Sequence, residues 1–218
     1  MEIIIEFVVV LFGVLLALSI NKINEKKNHR KRICSIMDIV IDNMTMDLKK
    51  IKRRIILLED HSKLYNKFIA QKNPNDDILK ECEWMSVNVE SFEITTRGYN
   101  LLKDARIDFE FKDSKLITEI TSFYKIWVTY IGQTQEEVLM NLAVKNTEHR
   151  SSFNWFHDVA INKNTSNQDF LEYLRTDDFK NRLTYKHWVE TTVLRRYLSE
   201  YRASIEQLLE KIEVSDYK

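Results

Sequence analysis

A chain of 218 residues with only three glycines and one proline lacks the turn residues that a many-stranded sheet needs every ~8–12 positions. Its 33 basic residues balance 33 acidic ones, and zero net charge argues against a general nucleic-acid binder. What remains is an all-α fold of few, long helices, with enough chain for one good core and a second small lobe.

Residues 7–20, FVVVLFGVLLALSI, are an unbroken apolar run in which every residue but Gly13, Ala17 and Ser19 is Phe, Val, Leu or Ile. At roughly −0.3 to −0.6 kcal/mol per large apolar residue, the run favours bilayer insertion by about 3 to 7 kcal/mol. Taken back to Ile3 it is interrupted only by Glu6, and it covers roughly 27 Å, enough for a thin hydrocarbon core. A cleavable leader fits poorly, because Met1-Glu2 is acidic where such peptides carry positive charge. A buried core helix fits poorly as well, because Lys22, Lys26, Lys27, Arg30, Lys31 and Arg32 follow at once. The expectation is a transmembrane anchor over residues 1–21 that ends at Asn21, with these six cations at the lipid headgroups. No Lys or Arg precedes Lys22, so the positive-inside rule puts the bulk of the chain in the cytoplasm.

Two features inside the anchor are candidates for more than anchoring. Glu6 is an ionisable group at the edge of a span, suited either to ion or proton movement or to a place in the headgroup layer. Gly13 and Ala17 form a small-xxx-small pair through which two anchors can pack closely.

Beyond the anchor, Ile33, Met37, Val40, Met44, Leu48, Ile51, Ile55, Leu58, Tyr65 and Ile69 recur at steps of three, four or seven, with a missing turn at Ser62. Residues 3–71 therefore read as one helix, or two nearly collinear ones, of about 100 Å. Residues 22–72 are a basic stalk and first bundle helix, and 73–218 are the remainder of the bundle. Eleven Lys or Arg face four acids over residues 22–54, so the rest of the chain is acidic. Asn73-Pro74-Asn75 ends the helix, and a short one is expected around 77–85. Thr95 or Thr96 caps another over roughly 96–106, with Tyr99, Leu102 and Ala105 inward. After a connector at 108–112, a long helix starts at Asp113 or Ser114. It carries Leu116, Ile120, Phe123, Tyr124, Trp127, Ile131, Val138 and Leu142, with a kink expected at Gly132. Residues 148–168 read as irregular, with Phe153, Trp155 and Phe156 facing a membrane, a partner or local core. The last helix, about 177–214, starts at Thr176 or Asp177. Three long amphipathic helices imply an antiparallel bundle that the first helix enters directly from the membrane.

No nucleophile elbow, glycine-rich phosphate loop or zincin motif is present. Cys34 and Cys82 lack metal-ligand spacing, and His149 and His157 have no partner at such a spacing. Walking back from Leu194 by four and then three lands on Glu190 and His187, a candidate buried polar pair, unless Trp188 and Val189 take over the core contact. No metal, cofactor or enzymatic activity is expected.

Glu6, the aliphatic run with Gly13, then Leu16-Ala17-Leu18, Asn21 and Asn24-Glu25 before a basic helix resemble a Bacteroidota family of small membrane-anchored proteins. Thr96, Gly98, Tyr99, Leu102 and Lys103 resemble that family's Thr-rich helix start. Ile23 stands where the family carries Trp, and the family's basic N-terminal lead is missing. The resemblance implies a bacterial inner-membrane address and lends no chemistry, since the family's function is unknown. The expected function is a single-pass helical scaffold whose partners are the bilayer and a second copy or another membrane protein. The alternatives are a sensor or transport component whose bundle binds a ligand, and a membrane-permeabilising subunit that uses Glu6.

Overall fold

The computed structural model describes residues 2–87, 91–105 and 114–215, without the side chains of 2–5, 8, 9, 84–87, 114, 142, 145, 146, 149, 150, 160 and 162. The expected connector at 108–112 lies outside the described residues. Helix α1 runs Glu2–Ile69, 68 residues without a proline, and spans about 100 Å. Its core-facing row is Ile33, Met37, Val40, Met44, Ile51 and Leu58, all essentially inaccessible. The row then passes through Tyr65 to Phe68, and Ile69 is exposed, a correction to the expected stripe.

A turn through Pro74 leads to α2 (Asp76–Val87), which Asn75 starts by accepting from the Ile78 amide at 3.0 Å. An extended segment, 91–96, precedes α3 (Arg97–Asp104). Neither threonine hydroxyl caps α3. The Gly98 amide donates instead to Asn43 Oδ1 of α1 at 2.8 Å, so the cap comes from the neighbouring helix. Helix α4 (Ser114–Ser152) continues through Gly132, and α5 (Trp155–Asn162) and α6 (Gln168–Tyr173) follow. Residues 148–168 are thus more helical than their polarity suggests, because Trp155 is buried against Phe170 and Tyr173 at ring-centroid distances of 5.0 and 5.2 Å. Helix α7 (Asp177–Trp188) is capped by Thr176, whose hydroxyl accepts from the Phe179 amide. It runs through a π-helical turn, Val189–Leu194, into α8 (Arg195–Val214).

Side-chain pairings fix the directions. Asp47 meets Tyr201, Glu59 meets Arg195, His61 meets Glu190 and Tyr65 meets Thr184, so α7–α8 runs antiparallel to α1. Glu119 meets Lys211 and Glu137 meets Tyr185, so α4 is antiparallel to α7–α8 as well. The result is a three-helix bundle with α3 wedged between α1 and α4. Two apolar cores form along it. The larger joins α1 from Ile33 to Leu58 with Phe92, Leu102, the α4 row Ile117 to Ile131, and α8 from Leu194 to Ile212. The smaller joins Tyr65, Phe68, Leu79 and Cys82 with Trp155, Phe170, Leu174, Phe179 and Leu183. Among the described residues there is no strand, and no helix is long and apolar enough to cross a membrane.

Candidate functional site

The two cores are separated by a layer of charge. An α-helix taken backward from Leu194 would present residues 190 and 187, but the π-helical turn accommodates one extra residue and shifts the phase. Val189 and Glu190 both end up buried, and Trp188, which the alternative reading put in the core, is 53% exposed. Helix α1 supplies the opposing groups at Arg54 and His61, on the same side as Leu58 and Tyr65 by steps of four, three and four.

His61 Nδ1 lies 2.9 Å from Glu190 Oε2, so this nitrogen carries the hydrogen and donates to the carboxylate. Arg54 and Lys186 approach the other oxygen, Oε1, at 3.9 and 3.8 Å. All four side chains are over nine-tenths buried. One carboxylate thus faces two cations and a histidine away from water, where removing either side of a charge pair costs several kcal/mol. Lys186 shows the strain. Burial pushes its ammonium down to about 8, with Arg54 and Arg182 adding to the fall and Glu190 opposing it.

The candidate pair, His187 and Glu190, is not brought together by a hydrogen bond. His187 stacks on Tyr65 at 4.0 Å, with the rings 12° from parallel, and partial burial lowers its pKa. Beyond it, Arg182 lies over the rings of Tyr173 and Phe179, and burial raises the Glu83 carboxyl while Arg182 opposes that rise. Nearer the N-terminal end of α1 lies a second polar node, centred on Asp47. Asp47 accepts from the Thr95 amide and hydroxyl and from Tyr201 at 2.7 Å, with Lys50 at 3.3 Å. Gln135 of α4 clamps the same extended segment, accepting from the Phe92 amide and donating to the Phe92 carbonyl at 2.7 Å.

Glu6, Gly13, Ala17, Asn21, Lys22, Lys26, Lys27, Arg30, Lys31 and Arg32 all lie exposed on the part of α1 that precedes the bundle. Phe7, Val10, Phe12, Val14, Leu16 and Leu18 are each more than half exposed, on every side of the helix. Among the described side chains the first fully buried is Ile33, about 20 Å along the axis from Ile20. Exposed Phe153 stacks on Trp155, which is buried in the smaller core, His157 is exposed, and the His149 side chain lies outside the described residues. Cys34 is half-buried, and burial, helped by Glu81, pushes the Cys82 thiol up to about 12. Among the described residues no cluster of His, Cys, Asp and Glu is suited to a metal.

Arg54, His61 and Lys186 were missed by the sequence reading. The signal was available at the missing turn of the α1 stripe, because His61, beside Ser62, completes the row Leu58-His61-Tyr65. Compared with known protein families, with curated proteins and with solved structures, the chain matches none.

Proposed function

We propose that this chain is a single-pass, membrane-anchored helical scaffold, held in a bacterial inner membrane by residues 7–20 with its bundle in the cytoplasm. The observation that supports the reading is the opening of α1, where, among the described residues, large apolar side chains stand exposed on all sides. A helix apolar all round needs a nonaqueous environment. The ring of Lys22, Lys26, Lys27, Arg30, Lys31 and Arg32 then lies across the headgroup layer, where each cation near an anionic surface adds about 1 kcal/mol. The ~20 Å between Ile20 and Ile33 holds the bundle clear of the lipid. Self-association through the anchors belongs to the same proposal, since a Cβ at Gly13 would meet nothing within 4 Å and a second helix has room to approach there.

The test is extraction of native membranes with alkaline carbonate. The full chain is expected to stay with the lipid pellet, and a chain lacking residues 2–20 is expected to be released. A reporter fused after Lys218 is expected to be active on the cytoplasmic side. Release of the full chain by carbonate would end the anchor reading.

A further inference from the structure

The seam between α4 and α8 opens into a groove of about 720 Å³ lined by these two helices alone. Its floor is apolar. Phe123, Trp127 and Leu208 belong to the larger core and show only an edge, and Ile126 stands about half exposed on the wall. Small side chains on both helices, Ser122 and Ser204, leave the seam open. Three charged residues line the groove, and all lie at one end. Lys211 Nζ donates to Glu119 across the seam at 2.7 Å, and Lys115 stands one turn before Glu119 on α4. The bond from Lys211 holds the Glu119 carboxyl below its ordinary value, with Lys115 adding to the fall and burial opposing it. Two ammonium groups therefore share one carboxylate. The other end, at Trp127 and Ser204, lies about 18 Å along α4 from Lys115 and has no charged lining residue.

We propose that this groove binds a linear anionic amphiphile of the fatty-acid class, with its carboxylate at Lys115 and Lys211 and its tail laid over Phe123 and Ile126 toward Trp127. Sites for small molecules between the helices of a bundle combine an apolar surface with a few polar groups that fix orientation, and here the polar groups sit at one end only. A compact anion would leave the apolar floor in water, and a cationic amphiphile would meet two ammonium groups against one carboxylate. The length and the one-ended charge together select a chain with a single anionic head. The expected source is a free fatty acid rather than a lipid seated in its bilayer, because the bundle begins at Ile33, about 20 Å along α1 from Ile20. This choice of source rests on the membrane-anchor reading, and the binding itself does not.

The experiment uses the full chain in nanodiscs of a zwitterionic phospholipid and measures the uptake of decanoate by equilibrium dialysis, with empty nanodiscs as the blank. The expected result is saturable uptake beyond the blank. A fully buried methylene is worth about fourfold in affinity and one in an open groove about twofold, so decanoate should bind about fourfold more tightly than octanoate. Acetate and decyltrimethylammonium should show no saturable uptake. Ser122→Trp, at an exposed position on α4, fills the groove and should abolish uptake while the melting temperature is kept. Ser204→Trp does the same from the opposite wall. Lys115→Gln should weaken binding about two- to fivefold, the range of an exposed ion pair, and Lys125→Gln, outside the groove, should leave it unchanged. Uptake no greater than the blank, uptake that both tryptophan variants retain, or equal binding of decyltrimethylammonium overturns the proposal. Anionic phospholipid added to the nanodiscs should leave the difference between wild type and Ser122→Trp intact. Loss of that difference would assign the groove to a bilayer lipid and overturn the free fatty acid.

Discussion

Gly98 sits where α3 touches α1, and replacing it with alanine gives a measurable test of that contact. A Cβ built there stands 2.7 Å from Val40 Cγ2 and 2.9 Å from both the Cα and the amide nitrogen of Val40. Two of those three atoms are backbone, and Val40 is fully buried, so no side-chain rotation relieves the clash. Helix α3 must move outward, which also stretches the 2.8 Å hydrogen bond from the Gly98 amide to Asn43. Overpacking costs about 1–3 kcal/mol and a weakened buried hydrogen bond about 1 more, while alanine returns up to about 1 through its helix propensity. The net loss is about 1–3 kcal/mol, and at about 2–4 °C per kcal/mol for a chain of this size it lowers the melting temperature by about 2–12 °C. Far-ultraviolet circular dichroism of the detergent-solubilised chain during heating reads this directly. Gly132→Ala is the control, because a Cβ there meets nothing within 4 Å, and it is expected to be neutral or stabilising by up to about 1 kcal/mol. If Gly98→Ala melts at or above the wild-type temperature, the close approach of α3 to α1 is wrong.

Glu190→Gln keeps the shape of the side chain but leaves Arg54 and Lys186 without their shared anion, so unfolding in urea should show a loss of about 3–5 kcal/mol. A loss below about 1 kcal/mol would mean that water already reaches the cations. Lys186 predicts a pH dependence. Its folded pKa of about 8 lies below the ordinary 10.5, so between those values the unfolded chain holds the extra proton and stability rises with pH. Burial raises the Cys82 thiol and the Tyr124 and Tyr201 hydroxyls, which act in the opposite sense once unfolded thiols ionise near pH 9 and unfolded tyrosines near pH 10, so the slope is read between about pH 8 and 10 in a Cys82→Ala background. Lys186→Met should flatten the slope there, and an unchanged slope in that variant would assign the titration to another group.

The amino-acid sequence by itself decided the helices. With one proline and three glycines, nothing interrupts α1 between Glu2 and Ile69, and steps of three and four mark the buried rows from Ile33 to Leu58 and from Ile120 to Ile131. These are local properties, because helix hydrogen bonds and side-chain phase depend on residues within one turn. The sequence also flagged Glu190, where a charged group falls on an apolar row. Only the tertiary structure decided what became of it. The π-helical turn changes the phase of the last helix so that Val189 and Lys186 join Glu190 among the buried residues while His187 is only partly covered, and packing settles that change because a single inserted residue carries little local signal. His61 reaches Glu190 across 129 residues of chain, Asn43 caps α3 across 55, and Trp155 makes helical a segment whose polarity suggested none. Each is a contact between elements, so its partner is fixed only once the antiparallel helices have set their register and direction against one another.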